Sequence, residues 1–380
     1  MNSTSQHFPK IHPAMGKMFG YWRRWVPMAV VMGAALAAMG FRESGSQPLP
    51  HKQMRYVMGT LCEITIYDED PVRAERAMNQ AFEEMQRVDR LLSNYDPHSE
   101  LSRMNRTAAA GPFKASVELF QFVTACQRFY RITQGAFDPT VGPLVRAWGF
   151  FGLHPHVPRR SEVEAARDKV GMGKVELDQV HALISYGVEG MEIDPGGIGK
   201  GYAVDRAVGT LKRAGITSAL VNAGSSSLYA IGHPPGQASW RIGIKDPFFP
   251  NHPAAFVALL DNSLSTSGSL EKRVQEGSQT FSHIFDPRSG APVGGVLEVS
   301  VIAPTATESD ALTKAAFVLS PPDAFGLFQK LGGVHALRFE RSGSAGWRLR
   351  MTPWSQSEFC LKGEIRRTHS VRRVDLKREN

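Results

Sequence analysis

The sequence predicts an α+β fold, with antiparallel strands and packed helices in a single large domain. Three short runs of alternating apolar and polar residues lie between residues 174 and 194, separated by turn residues. Further strand patterns occur at 240–244, 256–260, 281–285 and 296–303. Strands in hairpin-like succession, with helices interspersed, favour α+β over a doubly wound α/β fold.

Helices are predicted where apolar residues recur every three or four positions. One begins at Pro71, and its apolar face comprises Ala74, Ala77, Met78, Ala81, Phe82, Met85, Val88, Leu91 and Leu92. A second is predicted to follow the capping residue Ser116 and to end at Gly135. Two more are expected at 308–319 and 322–331, whereas 56–67 is expected to form one strand.

Charge and cysteine content exclude several classes of protein. The formal net charge is +8, and much of the excess lies at the two ends of the chain. Because the middle is nearly balanced, no basic stripe emerges and no nucleic-acid partner is predicted. The three cysteines, Cys62, Cys126 and Cys360, are far apart and form no CxxC pair, so they support neither a disulfide framework nor a zinc site.

The N-terminal segment is predicted to be an export signal. Lys17, Arg23 and Arg24 precede an apolar run over residues 25–38 that ends in small residues. The run is either cleaved near Ala35-Leu36-Ala37 or kept as an anchor, which implies export, membrane association and a periplasmic or outward-facing domain. The predicted organisation is a signal or anchor at 1–41, a linker at 42–54, the main domain at 55–362 and a basic tail at 363–380.

A glycine-dense turn carries the clearest chemical pattern. Asp194-Pro195-Gly196-Gly197-Ile198-Gly199-Lys200 follows a short strand-like run and precedes an amphipathic helix that ends near Ala214. Glycine backbone N–H groups, a helix N-terminus and Lys200 suit a phosphate, so the turn indicates a nucleotide or pyrophosphate site. The spacing fits neither the Walker loop nor the dinucleotide fingerprint, and a plain helix-capping turn remains an alternative.

Several loop segments, taken in order, resemble one protein family. They are Met58-Gly59-Thr60, Ser93-Asn94-Tyr95-Asp96, the run 137–144 (Phe-Asp-Pro-Thr-Val-Gly-Pro-Leu), the run 194–205 that contains the glycine turn, Asn222-Ala223-Gly224, Ser265-Thr266-Ser267-Gly268, the run 282–290 (Ser-His-Ile-Phe-Asp-Pro-Arg-Ser-Gly), Ala303-Pro304-Thr305-Ala306 and Ser309-Asp310-Ala311-Leu312. Over residues 55–320 their order and spacing resemble the FAD:protein FMN transferases, the ApbE family. The resemblance implies an ApbE-like, T-fold-like arrangement of antiparallel sheets and helices.

The resemblance also implies a reaction. It is a magnesium-dependent transfer in which FMN passes from FAD to a threonine or serine hydroxyl of an acceptor flavoprotein and AMP leaves, which depends mainly on positioning and charge neutralisation. Two alternatives remain open: an FAD-binding protein without transfer activity, and a magnesium-dependent FAD pyrophosphatase that releases FMN and AMP.

The resemblance assigns roles to individual residues. Those that match FAD-binding positions are Met58, Tyr95, Ala136, Phe137, Asp138, Asp194, Lys200 and Phe285. Gly197, through its carbonyl, and Asp310 match magnesium ligands, an oxygen set that this ion prefers. His283 matches a histidine proposed as general base on the acceptor hydroxyl.

Two departures from the family pattern concern the same site. The family usually has a threonine metal ligand four residues after the aspartate, but that position is Lys314 here and the nearest threonine is Thr313. Lys314 then replaces part of the metal's charge, reorganises the site, or faces solvent while Thr313 supplies the oxygen. The family's Gly-Gly-Asp segment is also replaced by Ser225-Ser226-Ser227, which removes a carboxylate near the flavin.

Overall fold

A computed structural model describes residues 49–152, 154–343, 346–354, 359–361 and 370–373. The strands are β1 (His51–Val57), β2 (Thr60–Ile66), β3 (Phe113–Lys114), β4 (Val175–Asp178), β5 (Leu183–Tyr186), β6 (Ala219–Ala223), β7 (Ser227–Ile231), β8 (Trp240–Lys245), β9 (Pro253–Leu259), β10 (Asn262–Gly268), β11 (Arg273–Glu276), β12 (Gln279–Ser282), β13 (Val296–Ala303), β14 (His335–Ser342), β15 (Gly346–Met351), β16 (Phe359–Leu361) and β17 (Ser370–Arg373). The helices are α1 (Pro71–Leu92), α2 (Glu100–Thr107), α3 (Val117–Ile132), α4 (Gly142–Ala147), α5 (Arg160–Arg167), α6 (Gly199–Arg213), α7 (Ala306–Val318) and α8 (Pro321–Leu331).

The centre of the fold is a nine-stranded sheet in the order β1-β2-β6-β7-β10-β13-β14-β15-β17. All of its neighbouring strands are antiparallel except β15 and β17, which run parallel. Smaller sheets are formed by β16-β9-β8, by β3-β5-β4 and by the β11-β12 hairpin. The predicted α+β class is therefore confirmed, and the described residues form one compact unit.

The large sheet is covered by helices on one face and by a small sheet on the other. Helices α1, α3 and α6 share one apolar core with strands β2 and β6. On the opposite face, side chains of β7, β10, β13, β14 and β15 pack against β8 and β9. Alternating side chains of an antiparallel strand supply the two faces separately.

Helix α1 follows the sequence prediction closely. Asp70 caps it by accepting hydrogen bonds from the backbone N–H groups of Val72 and Arg73, and Pro71 occupies the first turn. Its predicted apolar face is buried, apart from Leu91, which is partly buried against the same core. The start of α3 after Ser116 is also confirmed.

Helix α7 is buried over most of its surface, and a row of serines makes this possible. Ser263, Ser265 and Ser267 alternate along β10 and face α7, where Ser263 and Ser265 hydrogen-bond Ser309 and Ser267 hydrogen-bonds Thr313. Small hydroxyl side chains allow a close approach while satisfying one another in the core. This packing fixes the helix that carries Asp310.

Two local predictions differ from the structure, and three short helices were missed. The single strand expected at 56–67 is a hairpin, in which Met58 (φ 54°) and Gly59 (φ 72°) form a two-residue turn between β1 and β2. Two positive φ angles suit such a turn. The alternating apolar pattern continues through the turn, so the sequence does not show that the chain reverses direction there. The strand expected at 281–285 ends at Ser282, and the short helices α2, α4 and α5 were not predicted.

The ends of the chain are only partly described. The predicted signal or anchor at 1–41 lies outside the described residues. In the part that the structure describes, no helix has both the length and the apolar character needed to span a bilayer. Strand β1 begins inside the predicted linker, and residues 370–373 of the predicted tail form β17 beside β15.

Candidate active site

A cavity of about 520 Å³ brings the sequence-predicted residues together. That volume lies in the range of small-molecule sites. Eleven of the twelve predicted site residues line it: Met58, Tyr95, Ala136, Phe137, Asp138, Asp194, Gly197, Lys200, His283, Phe285 and Asp310. The twelfth, Thr313, does not.

One part of the cavity wall is aromatic. Tyr95 stacks on Phe151 with ring centroids 4.6 Å apart and an interplanar angle of 11°. The Arg146 guanidinium lies 4.2 Å from the Phe151 ring centroid and pairs with Glu192. Phe150 and Phe285 also contact one another here. Flat exposed rings such as Tyr95, which is 71% exposed, offer a surface for stacking a planar ring system.

The glycine turn is held in place from the neighbouring loop. The Asp194 N–H donates to the Pro139 carbonyl at 2.7 Å, and the Asp194 carboxylate accepts from the Gly196 N–H at 2.7 Å. Asp194 thus caps the short 3-10 turn that leads into α6, and its burial raises the pKa of the carboxyl. Helix α6 itself follows Ile198 without a side-chain cap, so the turn is more than a helix cap, and it lines the cavity.

Gly201 and Asp205 fix α7 against α6. A Cβ placed on Gly201 would lie 2.1 Å from the Ala306 carbonyl oxygen, so only glycine permits this helix contact. The Asp205 carboxylate accepts hydrogen bonds from the backbone N–H groups of Ala306 (2.7 Å) and Thr307 (2.8 Å) at the start of α7. The glycine-rich motif therefore positions the next part of the site through helix packing.

Asp310 and Lys314 form a buried ion pair on the cavity wall. Lys314 Nζ donates to Asp310 Oδ1 at 2.6 Å, and the Gly201 N–H donates to Oδ2 at 3.0 Å. The two side chains are 2% and 21% exposed, respectively. Burial lowers the pKa of Lys314, while the charge of Asp310 opposes that shift. The solvent-facing alternative for Lys314 is therefore wrong.

Two further lysines bring free positive charge to the cavity. Lys200 comes from the start of α6 and Lys272 from the loop before β11. Neither ammonium group donates a hydrogen bond or forms an ion pair with any residue that the structure describes. An anionic ligand is the natural partner for two such groups.

His283 lines the same cavity as these lysines and has a defined tautomer. Its Nδ1 is 3.1 Å from the Lys272 carbonyl oxygen, which can only accept, so Nδ1 carries the proton and Nε2 keeps its lone pair. Burial lowers the pKa of His283 to about 4, and the charges of Lys272, Lys314 and Lys200 act in the same direction. The imidazole is neutral at pH 7 and can accept a proton.

Comparison with known proteins identifies the family. A sequence model of the ApbE family matches residues 58–338. This chain belongs to the ApbE family. It is 30% identical over 334 residues to the FAD:protein FMN transferase of Salmonella typhimurium, which covers 84% of this chain and 94% of the relative.

Solved structures of the family have the same fold. The ApbE protein of Thermotoga maritima shares 30% identity at a TM-score of 0.70, with 76% of this chain and 94% of that chain covered. The flavinyl transferase ApbE of Pseudomonas stutzeri, in its apo form, shares 27% identity at a TM-score of 0.72, with 82% and 96% covered. Both likenesses span nearly the whole of the solved chains.

Two residues that the family resemblance assigns, Asp138 to FAD and Thr313 to the metal, are already hydrogen-bonded within the protein. Asp138 accepts from the N–H and hydroxyl of Thr140 and from the Met172 N–H, so its carboxylate ties two loops together while it borders the cavity. The Thr313 hydroxyl donates to the Asp310 carbonyl at 2.7 Å and lies 2.8 Å from Ser267 Oγ. The structure therefore does not bring Thr313 into the site.

The described residues do not fit a magnesium ion at Asp310. Magnesium needs oxygen ligands at about 2.0–2.1 Å, but both oxygens of this carboxylate are hydrogen-bonded and an ammonium occupies one of them. A divalent ion about 4 Å from Lys314 Nζ would be repelled by roughly 8 kcal/mol at an effective dielectric constant of 20. Within the described residues, no group of three histidine, cysteine, aspartate or glutamate side chains could hold a metal.

Among the lining residues that the sequence analysis did not assign to the site, three bear on its chemistry. Lys272 adds a second free ammonium, and Phe150 and Phe151 add aromatic wall. The only sequence signal for the two phenylalanines is an aromatic pair flanked by Gly149 and Gly152. Lys272 lies in a loop with no periodic pattern, so nothing local indicates its direction.

Proposed function

We propose that this chain is a flavin transferase that moves FMN from FAD to a threonine or serine hydroxyl of an acceptor flavoprotein and releases AMP. Membership of the ApbE family supports this activity, because relatives of the chain are named FAD:protein FMN transferase. The observation that assigns this activity to particular residues is one cavity that is lined by Lys200, Lys272 and a neutral His283.

Different residues of the cavity have different roles in the proposed reaction. Lys200 and Lys272 bind the diphosphate of FAD through charge, and the aromatic wall around Tyr95 stacks its planar rings. His283 Nε2 accepts the proton of the acceptor hydroxyl as its oxygen attacks the FMN phosphorus. A new oxygen–phosphorus bond forms, the bond from that phosphorus to the bridging oxygen breaks, and AMP leaves with the electron pair.

Magnesium belongs to the reaction that the family resemblance implies. For this chain it stays a prediction, and no step above passes through a metal, because Asp310 is paired with Lys314. The same cavity also suits the two alternatives named from the sequence. Binding of FAD without transfer needs only the lysines and the aromatic wall, whereas pyrophosphatase activity needs water in place of the acceptor hydroxyl.

One incubation separates the three activities. The full chain is mixed with FAD and a purified acceptor flavoprotein, with magnesium or with EDTA, and the acceptor is examined by in-gel flavin fluorescence and by mass. A mass gain of one FMN group on a threonine or serine supports transfer. Free FMN and AMP without labelled acceptor would instead indicate the pyrophosphatase, and unchanged FAD would indicate binding alone.

We also propose that the domain acts outside the cytoplasm. The basic and apolar N-terminal sequence at 1–41 supports export, and it favours membrane association if it is retained as an anchor. Fractionation of cells that express the full chain, with protease added to spheroplasts, tests this. Protection of the domain from the protease would contradict export.

A further inference from the structure

Lys314 lies between the two cavity residues that were predicted to hold the metal. Its Nζ donates to Asp310 Oδ1 at 2.6 Å and to the Asp310 carbonyl oxygen at 3.3 Å. Its stem passes beside Gly197, where an added Cβ would lie 3.6 Å from Lys314 Cγ. The ammonium therefore occupies the side of the carboxylate where a divalent cation would bind.

The oxygen atoms next to Lys314 already take part in hydrogen bonds within the chain. Oδ2 of Asp310 accepts the Gly201 N–H, and the nearby hydroxyl of Thr313 is bonded to Ser267. The negative charge of Asp310 is thus balanced by a cation that belongs to the chain. Lysine acts as a compact point charge toward phosphate, which is what such a position needs.

The other two lysines share the same cavity wall. Lys200 and Lys272 line the cavity beside Lys314 and have no partner among the residues that the structure describes. His283 lines the same cavity, and the charges of all three lysines lower its pKa. A diphosphate bearing two negative charges would thus meet three ammonium groups, of which Lys314 alone is already paired.

We propose that Lys314 is a built-in cation that replaces the divalent metal at Asp310, so that this chain binds the diphosphate of a dinucleotide without a metal ion there. The inference deepens the proposed function. The transfer assay below rests on that function, whereas the measurements of metal and FAD binding do not. In the transfer step, Lys314 would offset the charge that develops on the phosphate oxygens as the bond to AMP breaks.

The test compares metal binding and FAD binding in four proteins. Wild type, Lys314→Thr, Lys314→Met and the control Lys330→Met, an exposed lysine on α8, are titrated with Mn²⁺ in the presence of FAD, and bound Mn²⁺ is measured by electron paramagnetic resonance. FAD affinity is measured by calorimetry in EDTA and in magnesium. Flavin transfer to an acceptor is measured under the same two conditions.

The expected pattern is specific to each variant. Wild type and Lys330→Met bind no Mn²⁺ at the site and bind FAD equally well in EDTA and magnesium. Lys314→Met weakens FAD binding by about tenfold or more in EDTA, the effect of losing one charged contact. Lys314→Thr gains one Mn²⁺ per chain and binds FAD more tightly in magnesium than in EDTA.

Two results would overturn the inference. One is a stoichiometric Mn²⁺ ion on the wild type together with FAD binding that collapses in EDTA. The other is a folded Lys314→Met protein, checked by circular dichroism, whose FAD affinity matches that of Lys330→Met. Metal-independent FAD binding without flavin transfer under either condition would support the inference while removing the proposed function.

Discussion

Replacing Gly201 with alanine should damage both stability and the site. The added methyl would lie 2.1 Å from the Ala306 carbonyl oxygen, 2.6 Å from its carbon and 2.8 Å from Asp310 Cβ. Ordinary contact begins near 3.4 Å, so α6 and α7 must separate by about 1.3 Å. Because the obstacle is backbone, no side-chain rotation can relieve it.

The expected loss is about 3 kcal/mol of unfolding free energy, the upper end of the range for overpacking a core. Separation of the helices also lengthens the hydrogen bond from the Gly201 N–H to Asp310 Oδ2, now 3.0 Å. Flavin transfer should therefore fall even at temperatures where the variant stays folded.

The control is Gly209→Ala on the same helix. A Cβ there meets only the flexible end of Arg213, at 3.3 Å, and alanine is the better helix former by about 0.5–1 kcal/mol. Urea unfolding of the full chain, followed by circular dichroism, compares the two variants with wild type. Equal stability of Gly201→Ala and Gly209→Ala would refute the helix-packing account of Gly201.

The remaining predictions concern ionisable groups. His283→Ala should slow transfer by roughly 100- to 10,000-fold, the usual reach of a general base, with FAD affinity measured by calorimetry nearly unchanged; a parallel loss of affinity would make the histidine structural. Because the pKa of His283 is lowered to about 4, kcat/KM should stay level from pH 8 to about pH 5 and fall only near pH 4, whereas a fall centred on pH 6.5 would contradict the burial argument. Burial, aided by Glu271, raises the pKa of Glu298 to about 8, and its Oε1 has no partner among the described residues. The folded state therefore holds a proton that the unfolded state releases between about pH 4.5 and 8, and stability should decline as pH rises through that window. Glu298→Gln should remove this decline and stabilise the protein by a few kcal/mol at pH 9 but little at pH 5, as urea unfolding at both values would show; equal effects at the two pH values would contradict it.

Contiguous patterns explain most of what the sequence predicted. Helix α1 was predicted because a proline at the start of a helix, Pro71, and the apolar spacing that follows it are both local signals. The cavity residues around Asp194 and Lys200 were predicted because one short segment supplies the loop, the cap and the charge. Such features need no knowledge of distant parts of the chain.

Features that depend on distant segments could not be predicted in this way. From the sequence, Gly201 is predicted to be part of a phosphate-binding turn. In the structure it must be glycine because the backbone of Ala306, on another helix, lies where a Cβ would be. The sequence did not decide whether the Lys314 side chain faces solvent or the site, because its orientation depends on how α7 packs against α6. Lys272 lies in an irregular loop, and no sequence pattern predicts that such a loop residue lines the cavity.

The central claim is the transfer of flavin by the cavity around His283. It is tested most directly by the mass of an acceptor flavoprotein after incubation with FAD and either the wild-type full chain or His283→Ala. The account predicts a gain of one FMN group on a threonine or serine with wild type, and a rate lower by at least about 100-fold with the variant. An acceptor of unchanged mass with wild type, or equal labelling by both proteins, would contradict it.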